Sequence, residues 1–488
     1  YPLPARSSWT PIRWRSRMSF ASKLGRVKMP PAPAATAATG ETPAEASGEP
    51  SLLDALRAKM DAILGTSSDP KTPPVARAQD DLPFERLETP AGPLYRRTIR
   101  GTRSDRVGIA PIAPGATARA DLLALLALDP AIASCDPAGA LYLDTETTGL
   151  SGGTGTVAFL VGVAVWERDE DPGTFRLIVE QFLLKKLGEE RPILEEIARR
   201  IAQATMLVTF NGKSFDLPLL RTRFLMNRVE LPKEPPHLDL VHVARRVHAP
   251  KGAAKRSLKL TGIEQWLLGL ERVGDIPGSE VAAAYLHWLR SGDDETMKAV
   301  VEHNRLDVAT MAALVGIYGA PWSPAGGASR GEARLSGDDF AGIARTLKRA
   351  GRIEDAYALT EHALHEGESA AVRRARAELA KAMHLRDVAL LDFETLLANL
   401  DAAARNGDAG DALRLELAKL YEHHRRDASQ ALAMASGGTG EGPEAEQKRR
   451  ERLLRKAAAS PDLATRRAPD ALDGQTSLFG APVVRKRK

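Results

Sequence analysis

From Phe84 to about residue 318 the chain alternates short apolar runs with longer amphipathic stretches. Runs rich in Val, Leu, Phe and Thr at 141–144, 156–166, 175–183 and 206–210 have the length and residue choice of strands. Apolar residues recur every three to four positions at 189–204, 215–228, 257–268, 279–290 and 294–316, the spacing of one buried helix face. Strands first and helices interleaved afterwards predict an α/β domain with a mixed sheet over 84–318. A Pro/Gly/Ser/Ala stretch at 319–336 ends that pattern as a linker, and 337–436 then shows helical periodicity alone.

Within the helical part a string repeats. Arg352-Ile353-Glu354-Asp355-Ala356 returns loosely as Arg386-Asp387-Val388-Ala389, 33 to 34 residues on and close to the ~34-residue tetratricopeptide period. Arg426-Asp427-Ala428 is a third copy, displaced by an insert near residues 402–410. A tetratricopeptide-like array that recruits a protein partner is therefore expected at 337–436. Residues 1–83 read as disordered or linker with one short amphipathic helix at 51–64, and the first 50 as functionally silent, with Met18 or Met29 as starts. Residues 437–488 read as a disordered basic tail with a basic helix at 443–459.

Composition narrows the classes. No run of 18 or more apolar residues is present, so no membrane-spanning helix is expected. The single cysteine, Cys135, cannot form an internal disulfide or a Cys-rich zinc site, which fits a cytoplasmic location. A net charge of +5 favours a polyanionic partner, though weakly.

The chemistry concentrates in acidic residues. Leu141-Tyr142-Leu143-Asp144-Thr145-Glu146 is an apolar strand that ends in two carboxylates. In a strand, residues i and i+2 share a face, about 6–7 Å apart, so Asp144 and Glu146 repel each other unless a cation stands between them. Asp216 follows an apolar strand and the turn Asn211-Gly212-Lys213-Ser214-Phe215, where it is either a helix N-cap or a third acid aimed at the same sheet end. His303 and Asp307 lie four residues apart, on one helix face, which suits proton transfer beside a metal-bound carboxylate or simply a polar surface. Asp239, after Pro236-His237-Leu238, either lines the same cleft or ends a strand.

The ordered set of an Asp-x-Glu strand, an Asn-Gly-x-x-Phe-Asp turn and a His-x-x-x-Asp helix resembles the DEDD 3′-5′ exonucleases of the ribonuclease H-like superfamily. Phe84-Glu85-Arg86-Leu87-Glu88-Thr89-Pro90 and Gly152-Gly153-Thr154-Gly155-Thr156 are most similar to the YprB-type members. The resemblance covers about 84–318. It implies a ribonuclease H-like fold with a five-stranded mixed sheet flanked by helices. It also implies that Asp144, Glu146, Asp216 and Asp307 bind two Mg²⁺ or Mn²⁺ ions, with His303 as general base. In the subgroup with a histidine base, that residue stands five positions before the final Asp. Here the spacing is four, as in the tyrosine-bearing subgroup.

Secondary features point to nucleic acid. Asn211 and Lys213 in the turn, with Lys255 and Arg256 in a basic loop, are candidate phosphate contacts, the loop being equally readable as a solvated surface. Phe215 reads as core rather than as a stacking platform. Gln475, Leu478 and Phe479 in the tail resemble the short motif by which bacterial replication and repair proteins bind the sliding clamp. The expected activity is a two-metal 3′-5′ exonuclease on single-stranded or frayed ends of DNA or RNA. Its competitors are a structure-specific endonuclease and a decayed nuclease serving as a scaffold. The presence of all four acids argues against decay.

Overall fold

The computed structural model describes residues 81–149, 155–248, 256–322 and 335–459. Seven segments form one sheet: β1 (Glu85–Thr89), β2 (Gly92–Arg100), β3 (Ala140–Thr147), β4 (Ala158–Arg168), β5 (Phe175–Leu183), β6 (Met206–Thr209) and β7 (His237–Asp239). Their order is β1-β2-β5-β4-β3-β6-β7. From β3 outward through β4, β5, β2 and β1 the pairs are antiparallel, while β3, β6 and β7 run parallel. The fold is ribonuclease H-like, but the sheet has seven strands rather than five. The two additional strands are the hairpin β1–β2, whose Tyr95–Arg100 segment pairs with Ile178–Leu183 and covers an edge that would otherwise leave backbone groups unpaired. Its alternation is broken by Arg96, Arg97 and Arg100, so it carries no clear apolar period. A separate two-residue ribbon pairs Arg106–Val107 with Ala110–Pro111.

β3 is apolar on both faces because both faces are covered. Ala140 and Tyr142 enter one core with Val208 and helix α1 (Ala120–Ala127). Leu141 and Leu143 enter the other core, with helices α2 (Arg191–Gln203) and α3 (Asp216–Met226). This two-sided burial explains why the run is continuous rather than alternating. Then follow α4 (Leu240–His248), the short α5 (Leu260–Ile263) that runs into a π-type turn at Glu264–Leu268, α6 (Val281–Ser291) and the long α7 (Asp294–Tyr318). Most of α7 is buried, so it serves as the central helix against the sheet.

The remainder is helical: α8 (Gly337–Arg349), α9 (Ile353–Glu366), α10 (Ala370–Ala382), α11 (Arg386–Ala398), α12 (Ala402–Arg405), α13 (Asp408–Leu420), α14 (Ala428–Ser436) and α15 (Pro443–Ala458). Each copy of the repeated string opens a helix, namely α9, α11 and α14. The stretch after Gly437 is not open chain throughout, because α15 buries Leu453 among Ala418, Ala431 and Ala435. Its Arg452 and Lys456 also pair with Glu422. The first of these helices are part of the sheet domain's core: Phe340, Ile343 and Leu347 of α8 pack with Val243 and Val247 of α4. At that junction buried His248 bonds Asp339 Oδ1 through Nδ1 (2.8 Å) and the Tyr318 hydroxyl through Nε2 (2.9 Å).

The helix at 51–64, the Gly-rich turn at 152–154, Lys255 and the tail motif of Gln475, Leu478 and Phe479 lie outside the described residues. Among the described residues no helix is long and apolar enough to cross a membrane.

The α4–α8 contact is close enough to test. A Cβ at Gly342 would lie 2.1 Å from the Val247 carbonyl oxygen. Gly342→Ala should therefore cost about 1–3 kcal/mol of stability by overpacking. Thermal melts of the full chain read this as a fall of several degrees, and an unchanged melt would contradict the shared core.

Candidate active site

The carboxyl end of β3 leaves the core as it reaches its acids. Residues 140–143 are buried, and Asp144 to Thr147 are half-buried. A register irregularity between Glu146 and Thr147 interrupts the pairing with β4 there. Beside it, β6 ends at Thr209 and the chain turns through Asn211 in a left-handed conformation (φ 72°). Asp239 shapes this turn. Its oxygens accept the backbone N–H groups of Asn211 (2.7 Å), Lys213 (3.0 Å) and Val241 (3.2 Å), so this carboxylate is committed to the backbone behind the cleft.

The turn delivers Asp216 as the first residue of α3. It does not cap that helix: Phe215 holds the N-cap position without a side-chain bond, and Asp216 Oδ1 accepts the Thr145 hydroxyl at 2.6 Å. Phe215 is 58% exposed, contrary to its reading as core. With Leu217, Leu219 and Leu220 turned inward along α3, the residue before the helix is left facing solvent.

Asp144, Glu146 and Asp216 line a cavity of about 630 Å³. Asn211, Phe210 and Phe215 form part of its wall, as do Gly278, Ser279 and Val281 at the start of α6. α7 brings His303 and Asp307 up behind the acids. Their closeness is read in the electrostatics. Burial holds the Asp144 carboxyl well above the usual range, and Asp307, Glu146 and Asp216 add repulsion, opposed by a hydrogen bond from Asn304. Burial pushes Glu146 up to about 7, with His303 and Arg272 opposing and Asp307 and Asp216 adding to the shift. Asp216 is raised to about 6, again chiefly by burial. Burial alone would depress His303, but Asp307, Glu146 and Asp275 outweigh it and raise the imidazole.

Residues without a sequence signal complete the arrangement. Asn304, fully buried on α7, donates to Asp144 Oδ2 at 2.8 Å. Its own oxygen accepts from Gln181 of β5 (3.0 Å). Gly162 of β4 makes room for it, since a Cβ there would stand 2.1 Å from Asn304 Oδ1. Arg272 donates from Nη2 to Asp307 Oδ1 at 2.5 Å, and through Nε and Nη2 to both oxygens of Glu264. Asp275 takes His303 Nδ1 at 2.6 Å. Only Asn304, in the string His303-Asn304-Arg305-Leu306-Asp307, lay within a motif. Among the basic candidates, Lys213 is exposed on the turn, and Arg256 lies over the Trp266 ring (5.1 Å).

The donor set suits a hard cation: all four acids offer oxygen, and burial disfavours the charge of Asp144, Glu146 and Asp216 without one. Of the nearby basic groups, Arg272 bonds Asp307 as well as Glu264, and His303 bonds Asp275. Among the described residues no group of three or more acidic, His or Cys side chains is placed to hold a metal ion by itself. Mg²⁺ is commonly held by one or two carboxylates, with water and substrate phosphate filling its shell, so an open set of acids fits it.

Residues 141–318 match the family model of the RNase H superfamily. The uncharacterized protein YprB of Bacillus subtilis (strain 168) is 28% identical over 327 residues, a span of 64% of this chain and 72% of that protein.

The raised acids predict a pH signature in metal-free protein. Glu146 and Asp216 have folded values above their unfolded ones, so the folded chain binds more protons between those values, and their contribution falls as pH rises. Glu146→Gln removes one such group. In chelator, its melting temperature minus that of wild type should grow as pH rises from about 4.5 to about 7. A difference that is flat or shrinks across that window would refute the burial of this charge.

Proposed function

Taking residues 141–318 as a ribonuclease H-like domain, we propose that the protein is a metal-dependent nuclease, acting as a 3′-5′ exonuclease on single-stranded or frayed ends. The observation that carries this reading is the gathering of Asp144, Glu146, Asp216 and Asp307 at one sheet end. They are drawn from β3, α3 and α7, and Asp144 and Glu146 repel the other acids. A nuclease-type activity is what this superfamily suggests; the exonuclease direction and the use of two ions are our inference. A cavity of about 630 Å³ with an exposed aromatic wall supports a strand end as substrate, because it has the size of a small-ligand pocket rather than of a duplex groove.

In this reading the four acids hold two Mg²⁺ or Mn²⁺ ions. When bound, such ions supply charge neutralisation and a water acidic enough to attack near neutral pH. Asn304 and Thr145 keep Asp144 and Asp216 in fixed orientations by donating one hydrogen bond to each. His303 receives the proton of the attacking water. Phe215 offers its ring to a terminal base, and Lys213 and Asn211 meet the phosphates of the same strand. Stacking tolerates any base, so the substrate is expected to be read without sequence preference.

Digestion of 5′-labelled DNA and RNA oligonucleotides with Mn²⁺ or Mg²⁺ tests the reading. Asp144→Asn and Asp216→Asn should each lower kcat by more than about 100-fold, since a metal-supplied stabilisation of several kcal/mol is at stake. Wild type inert towards every oligonucleotide, or variants as active as wild type, would end it. Phe215→Ala should raise KM for single strands about 5-fold or more, the lower end of base–aromatic stacking. An unchanged KM would remove the platform.

A further inference from the structure

Between α5 and α6 the chain makes a tight excursion. Val273 stands at its apex, 97% exposed, and Gly274 follows with φ 73°. That left-handed glycine reverses the chain within one residue, so Arg272 and Asp275 on either side of the apex both reach back to α7. Arg272, whose side chain is almost wholly buried, bonds Asp307 and thereby anchors the loop to the helix. Asp275 Oδ1 lies 2.6 Å from His303 Nδ1. The same nitrogen is 3.2 Å from Arg272 Nη1, and the two contacts make opposite demands on it. An ionised carboxylate can only accept, so Nδ1 must carry the hydrogen and donate to Asp275. The Arg272 nitrogen then stands alongside without donating to the ring. Nε2 is left 3.7 Å from Asp307 Oδ2, too long for a direct hydrogen bond, and so is not held by that carboxylate.

We propose that Asp275 is the positioning residue of His303. It fixes the ring orientation and the Nδ1–H form, so that Nε2 is the nitrogen presented to the site, and this rests on the nuclease reading above. A carboxylate on the far nitrogen of a histidine is a general means of setting which nitrogen reacts, and loss of such outer partners commonly costs about 10–100-fold in activity. It also accounts for a histidine spaced four residues from Asp307 rather than five: the loop, rather than the helix alone, sets where the ring points. The same loop runs on into Gly278, Ser279 and Val281, which line the cavity, so the residue that orients His303 and one wall of the cleft belong to one connection.

The test is a double-mutant cycle on the full-length protein, with a 5′-labelled oligonucleotide and saturating Mn²⁺. Asp275→Ala should lower kcat about 10–100-fold with KM within about twofold of wild type. In a His303→Ala background the same change should have almost no further effect, because the ring it positions is gone. A loss that persists undiminished in that background marks a merely structural role and overturns the proposal, as does an unchanged kcat in Asp275→Ala. The second readout needs no activity. Histidine ¹⁵N-labelled wild type should show a hydrogen-bonded, slowly exchanging His303 Nδ1–H signal, assigned by its absence in His303→Ala and lost in Asp275→Ala. If wild type cleaves nothing yet this signal behaves as stated, the nuclease reading fails while the positioning contact stands. If the signal is absent from wild type or persists in Asp275→Ala, the positioning contact itself fails.

Discussion

Burying like charges at the end of β3 is the constraint around which this structure is arranged. Asp144 and Glu146 leave a strand whose preceding four residues are fully covered, so they enter a region of low polarity where each carboxylate's charge is disfavoured. Asp216 and Asp307 increase the repulsion on both. Chains do not gather acids in this way for stability, because every nearby hydrophobe would be better placed there. The neighbouring residues limit the cost with hydrogen bonds: Asn304 to Asp144, Thr145 to Asp216 and Arg272 to Asp307. The first two bonds orient their acids without neutralising them, whereas the Arg272 guanidinium holds Asp307 as an ion pair.

The long helix α7 meets this constraint from behind. It carries His303, Asn304 and Asp307 within little more than one turn, and it comes close to β4 because Gly162 offers no side chain. Gln181 on β5 satisfies Asn304 and also donates to the Val301 carbonyl at 2.7 Å. The central strands and the helix are thereby linked by a buried polar chain. Such a chain specifies one register when all its members are bonded, and it loses that effect if any one is left open. The first helices after the linker extend the same packing, with α8 resting on α4 and His248 bridging to Asp339 and Tyr318.

Much of this was legible in the chain. The apolar runs at 141–144, 156–166, 175–183 and 206–210 are strands β3 to β6, and the periodic stretches at 189–204 and 294–316 are α2 and α7. The order of the acidic motifs also pointed to residues that the fold brings to one sheet end. Other features escaped notice for physical reasons. The hairpin β1–β2 has too many arginines for an alternating pattern, and α1 is short and, after Asp121, apolar on every side. Phe215 followed an apolar strand and so read as core, whereas its exposure follows from where α3 begins. Asp239 read as a cleft acid or a strand end; it does end β7, and its three backbone partners show it also holding the turn.

By itself the sequence determined the α/β class, the strand that ends in Asp144 and Glu146, and the helix face shared by His303 and Asp307. These follow from spacings of two or of three to four residues, which the backbone converts directly into shared faces. Tertiary structure alone decided that Asn304 would hold an acid 160 positions away, and that an unremarked loop would bring Asp275 to His303, 28 positions on. Contacts of that kind depend on how distant segments pack, and no local period records them.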